Sequence, residues 1–238
     1  MGIWGKLSAK KELDTRTALA KWADTLTPLE IGGKIMNSGR EIKAPYAIAM
    51  AVFMAARGFM QALDSRAHDM PEPFQVKHPI AHDKMFSEVV SFCYFAISTD
   101  AYPVSKEKEY MDERYDKLDE DDEIDPMDSD PYYSTIWQSA ILAGRLFQRI
   151  TEIDRVPEFL VNRALSYRHR MLFGKDVNIL EEFMQHLWEQ WIPEEARPGG
   201  ISLELPNPGL VLMPLITRLP LDDLQAGSRW AFTKYKQV

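Results

Sequence analysis

The stretch PYAIAMAVFMAARGFMQAL, residues 45–63, decides the reading of the fold. Pro45 suits the first position of a helix, because the N–H it lacks is one that a first turn leaves unbonded anyway. Behind it, Ala47, Ala49, Ala51, Ala55, Ala56 and Gly58 spread small residues around much of the circumference, with Met and Phe between them. A helix apolar nearly all round is normally the one that other helices surround. A membrane span is the rival reading, and it wants about 20 predominantly apolar residues. Residues 46–63 fall short of that and include Arg57, Gly58 and Gln61. The stretch is read as the central helix of a bundle, with no membrane span.

Helix signals repeat outward from it. Upstream, residues 8–26 place Leu13, Leu19, Trp22, Ala23 and Leu26 near one face. Thr27-Pro28-Leu29-Glu30 forms a capping box that opens a short helix, and Asn37-Ser38-Gly39 closes it. Downstream, Met70-Pro71-Glu72-Pro73 breaks the pattern and a helix follows over 79–99. Residues 105–118 suit a charged helix that partly covers Tyr110, Met111, Tyr115 and Leu118. Asp130-Pro131 pairs an N-cap with Pro at the first position, and the helix it starts carries Ile136, Trp137, Ala140, Ile141, Gly144 and Phe147 to about residue 153. Pro157 opens the next helix and Gly174 ends it. Asp176 is expected to cap a third, where Ile179, Leu180, Phe183, Met184, Leu187, Trp188 and Trp191 recur at helical spacing.

The texture changes after Pro193. Pro193, Pro198, Gly199, Gly200, Pro206, Pro208, Gly209, Pro214 and Pro220 argue against a long helix. Residues 201–205 and 210–217 are expected to pair as strands across the Pro206-Asn207-Pro208-Gly209 turn, and 230–235 alternates in a strand-like way. The expected fold class is mainly α: a bundle of about six to eight helices with a Pro/Gly-rich C-terminal extended arm or small β element. Its expected parts are an N-terminal helical half (1–104), an acidic linker or insert (105–130), a C-terminal helical half (131–192) and the arm (193–238). Residues 1–192 would form one helical domain.

Composition sets the class of molecule. With 45% hydrophobic and 27% charged residues, the chain has the makings of a globular core. The net charge of −8 is unevenly distributed. Residues 105–130 hold 13 acids and 4 bases, whereas 131–175 hold seven Lys and Arg against three acids. Cys93 is the single cysteine, which excludes an intrachain disulfide and a multi-cysteine zinc site. Phe92, Tyr94 and Phe95 around it point to a buried thiol. Residues 1–11 lack the apolar core of a secretory signal, and Lys6 stands where a myristoylation pattern needs Ser or Thr. A cytoplasmic location is expected.

The chemistry-bearing motifs are few. Gly-x-Ser-x-Gly and Gly-x-Gly-x-x-Gly do not occur, and Gly32-Gly33-Lys34 lacks the remaining residues of a phosphate loop. No catalytic residue is assigned and no cofactor is expected. His78-Pro79-Ile80-Ala81-His82-Asp83 is the most metal-like cluster, since histidines four apart share a helix face. Asp64 and His68 could complete it, giving the alternative of a metal-dependent enzyme at Asp64, His68, His78, His82 and Asp83. Carboxylate-bridged di-metal bundles need Glu-x-x-His, which is missing, and Glu182 with His186 is an ordinary helical pair. Asp119, Asp121, Glu123, Asp125 and Asp130 fit a calcium-loop spacing, but Ile124 replaces its glycine.

Two contact readings remain. Arg145, Arg149, Arg163, Arg168 and Arg170, interleaved with aromatic residues such as Tyr167, would suit nucleic-acid phosphates, and equally would suit pairing with the acidic segment of the same or a neighbouring molecule. The favoured reading is a non-catalytic interaction or assembly protein, an accessory subunit binding a protein partner or a second copy of itself. Asp119, Asp121, Asp122 and Glu123 in the acidic segment, with Leu210 and Leu212 in the arm, are its expected contacts.

Overall fold

Every residue from 87 to 98 is buried, so the helix that carries them has neighbours on all sides. This is α2 (Pro79–Ala101), at the centre of an all-α bundle in the computed structural model of the protein. The structure describes residues 44–66, 79–115, 130–149, 151, 153–174, 178–191 and 208–235. The other helices are α1 (Ala44–Arg66), α3 (Val104–Tyr115), α4 (Pro131–Gln148), α5 (Val156–Phe173), α6 (Ile179–Trp191), α7 (Pro208–Ile216) and α8 (Leu221–Lys234). α2 packs against α1, α4, α5, α6 and α8. One apolar core runs from Ile48 in α1 to Ala231 in α8, and every helix except α3 contributes buried residues to it.

The central place expected for residues 45–63 thus belongs to α2. α1 buries Ile48, Val52, Ala56, Phe59 and Leu63 against the bundle but leaves Gly58, Gln61 and Ser65 exposed. By length and composition α1 is apolar enough to cross a membrane, and half of that apolar window is buried inside the bundle. Small residues around α1 reflect close packing on several helices rather than enclosure. α2 instead meets its surroundings with Phe92, Tyr94 and Phe95, and Phe92 stacks on Phe183 of α6 at 4.0 Å.

The local start and stop signals act where they stand. Asp130 Oδ1 accepts from the backbone N–H groups of Tyr132 and Tyr133 at 2.8 and 2.9 Å, satisfying donors that the first turn of α4 leaves open. Gly174 ends α5 in an extended conformation. Asn178 caps α6: its side-chain oxygen accepts from Leu180 and Glu181, the former at 3.1 Å. Asp176, the segments 8–26 and 27–39, and the loop 119–129 lie outside the described residues.

The strands expected near the C-terminus are corrected. Residues 210–216 belong to α7, and 230–234 belong to α8; residues 201–205 lie outside the described set. Pro220 precedes Asp222 and Asp223, which place negative charge at the positive end of the α8 dipole. Tertiary contact then holds α8 along α2, where Arg229 pairs with Asp100 and Gln225 donates to Ala96 O at 2.9 Å.

α4 and α5 form an antiparallel hairpin with an unusually close crossing. A Cβ on Gly144 would stand 2.4 Å from Pro157 Cα, so the glycine is what allows the approach.

Candidate functional site

α2 buries several polar side chains, and most are satisfied within the helix. Ser87, Ser91 and Ser98 donate to the carbonyls of Asp83, Ser87 and Phe95 at 3.0, 2.8 and 2.7 Å. Glu88 cannot do this, since a carboxylate accepts but does not donate. It is 0% exposed, and its partners come from α5 and α6. Tyr167 donates its hydroxyl proton to Glu88 Oε1 at 2.5 Å. Arg163 Nε lies 3.2 Å from Glu88 Oε2, an ion pair without hydrogen-bond alignment. His186 closes the figure, with Nδ1 2.9 Å from Tyr167 Oη and Nε2 3.2 Å from Arg163 Nη1.

The proton inventory of this ring has one solution. Arginine only donates, so His186 Nε2 accepts from Arg163 and carries no proton. Tyr167 gives its one proton to the carboxylate, so its oxygen accepts from His186 Nδ1–H. The imidazole is therefore the neutral Nδ1–H tautomer. Burial raises the Tyr167 hydroxyl pKa well above the usual phenol range, and the Glu88 charge raises it further, keeping the proton in place. One turn before His186, Glu182 meets Arg170 of α5 at 3.4 Å. The ring is graded from inside to outside: Arg163 is 25% and His186 16% exposed, whereas Glu88 is sealed.

A second polar knot lies on the other side of α5. Arg168 is 2% exposed, and its Nε donates to Glu107 of α3 at 2.5 Å. Its remaining nitrogens donate to the carbonyls of Ser98 and Tyr102 at 3.2 and 2.5 Å. Ser98 lies in the last turn of α2, where its carbonyl also accepts from Tyr102 N–H at 3.0 Å, and Tyr102 follows directly after the helix. The guanidinium also faces the rings of Tyr102 and Tyr133.

These pairs change the meaning of the basic segment. Arg163, Arg168 and Arg170 bind Glu88, Glu107 and Glu182, all from outside 131–175. Arg168 is corrected as a nucleic-acid contact, because it is enclosed and held on three sides. Arg163 points its guanidinium into the ring. Arg145 and Arg149 lie exposed on and just after α4.

The metal-like cluster is only partly assembled. His82 Nε2 and Asp64 Oδ2 stand 3.9 Å apart across α2 and α1. Asp83 instead accepts from Thr151 Oγ1 at 2.8 Å. His68 and His78 lie outside the described residues, among which no group of three or more His, Cys, Asp or Glu is placed to hold a metal ion. Among the expected partner contacts, Leu212 is corrected: it is fully buried in the core, covered by its own chain. Leu210 falls in the first turn of α7. Asp119, Asp121, Asp122 and Glu123 lie outside the described residues.

Sequence reasoning missed Glu88 and Glu107. Glu88 had a signal: a lone carboxylate inside the run SEVVSFCYF, residues 87–95, must find a buried partner if that run is core. No family model, curated protein or solved structure matches the chain.

Proposed function

We propose that this chain is a cytoplasmic, non-catalytic helical interaction or assembly protein, an accessory subunit that binds a protein partner. The observation that carries this reading is the outward line of α5. Leu165 and Phe173 are 40% and 54% exposed, with His169 between them at i+4 spacing and its ring 4.6 Å from that of Phe173. Large apolar side chains aligned on one exposed face suit a helix that docks against another surface. The acidic residues Asp119, Asp121, Asp122 and Glu123 are retained in this proposal as a charged contact for a basic partner, on sequence grounds.

The test is Leu165→Glu combined with Phe173→Glu, compared with the wild type by light scattering and by co-purification from the native source. Both side chains are exposed, so the melting temperature and circular dichroism should stay unchanged. The expected result is an oligomer or a stoichiometric partner with the wild type and its loss in the double variant. A wild-type monomer that purifies alone, or identical assemblies for both proteins, would overturn the reading.

A further inference from the structure

We propose that Arg168 is a carboxylate receptor which the chain fills with its own Glu107, and that α3 is a hinged lid displaced when an acidic side chain of a partner takes that place. The receptor is built without α3. Arg168 belongs to α5, and two of its nitrogens are committed to the carbonyls of Ser98 and Tyr102. Tyr102 N–H donates to Ser98 O at 3.0 Å, which ties Tyr102 to the end of α2. The rings of Tyr102 and Tyr133 stand 5.9 and 5.5 Å from the guanidinium. Groups on and beside α2, α4 and α5 therefore hold Nε ready for a carboxylate, and an enclosed guanidinium needs an anion beside it.

α3 brings Glu107 and little else. Among its described residues Glu107 alone is buried, Tyr110 and Met111 are half-buried, and none joins the apolar core. More than half of the helix is charged, and 12 residues make a helix that is marginal by itself in water. It joins α2 through the exposed Pro103, which has no N–H to carry the α2 ladder onward. Rotation about the Pro103 Cα–C bond moves α3 and leaves Tyr102 in place. Opening with no replacement strands a buried cation, which is strongly unfavourable. Exchange of one carboxylate for another keeps the charge paired and gives up chiefly the half-covered Tyr110 and Met111. The lid thus moves with ligand exchange. Only the source of the competing carboxylate, a protein partner, rests on the interaction reading above, so receptor and lid are tested without one.

The test is urea unfolding of full-length Glu107→Ala at neutral pH, with sodium acetate as probe and sodium chloride at equal ionic strength as reference. At about ten times its dissociation constant, acetate should lower the unfolding equilibrium constant about tenfold relative to chloride. Wild type, where Glu107 holds the place, and Glu107→Ala combined with Arg168→Met should not respond in this way. Equal acetate effects in all three proteins, or none in Glu107→Ala, overturn the receptor. Rescue by inorganic phosphate as strong as by acetate overturns its assignment to carboxylates. Hydrogen exchange then tests the lid: in acetate, Glu107→Ala should regain stability while peptides over 104–115 still exchange about tenfold faster than in wild type. Their return to the wild-type rate overturns the lid, since α3 would then close over any filled site. If Glu107→Ala does not fold, wild type titrated with polyglutamate decides. Exchange that speeds up about tenfold over 104–115 alone supports the proposal, and unchanged rates overturn it.

Discussion

Replacing Gly144 by Ala tests whether the α4–α5 crossing organises the bundle. The new Cβ would lie 2.4 Å from Pro157 Cα, 2.8 Å from its N and 3.0 Å from its Cβ. Two of these three atoms are backbone, inside the first turn of α5, so the clash cannot be relieved by turning a side chain. The helices must part by about 1 Å to reach ordinary contact, and overpacking of this kind costs about 1–3 kcal/mol. Ala also gains up to about 1 kcal/mol over Gly in helix propensity, which would blur a single measurement. Gly58 and Gly227 supply the correction, because a Cβ at either meets nothing within 4 Å. Gly58→Ala and Gly227→Ala receive the propensity gain alone, so the difference between Gly144→Ala and these controls isolates the clash. For a chain this size it amounts to a melting temperature about 2–10 °C below the controls, with the same order in urea midpoints. If Gly144→Ala melts with the controls, the crossing tolerates a methyl group and the reasoning fails.

Three further outcomes follow from the buried polar groups. Arg168→Met should destabilise by about 3–5 kcal/mol, measured by urea unfolding, because the buried Glu107 carboxylate loses its cation and the Tyr102 carbonyl loses this donor; a loss below about 1 kcal/mol would show the knot to be incidental. Tyr94 and Ser139 share a buried hydrogen bond of 2.8 Å, so Tyr94→Phe and Ser139→Ala should each cost about 1–2 kcal/mol, while the double variant loses less than their sum. Additive losses would deny the coupling. Burial pushes the Cys93 thiol from the ordinary 9.0 up to about 12. The unfolded chain therefore releases this proton first, and stability falls as the pH rises from about 9 toward about 12, by up to about 1.4 kcal/mol per pH unit. Cys93→Ala should flatten the alkaline slope of the urea midpoint by one proton, and an unchanged slope would refute the assignment.

Local signals were legible where their partners sit within a turn. Asp130 caps α4 through residues two and three positions away, and Gly174 closes α5 in the same short range. At the C-terminus, Pro and Gly density and the alternation over 230–235 point to strands, whereas Asp222 and Asp223 lie in the first turn of α8. Gly227 sits on an exposed face of that helix, where the propensity cost is small beside the packing of Leu224 and Ala231. The basic segment is only partly legible: Arg168 does pair with Glu107 of the acidic segment, but Arg163 and Arg170 find their carboxylates elsewhere. A running sum of charge assumes that neighbours in the chain are neighbours in space, whereas Arg168 and Glu107 are 61 positions apart and Arg163 is neutralised from α2.

What the sequence by itself determined is the class of fold and most helix starts, because caps, proline positions and apolar periodicity act over one or two turns. Which helix lies at the centre, which arginines are enclosed and which carboxylate closes a polar ring were decided by tertiary structure alone. Glu88 and Tyr167 are 79 residues apart, and only the folded bundle brings them to 2.5 Å. Burial then supplies the low dielectric that makes an unmatched charge costly, so the same packing that joins them also dictates how they pair.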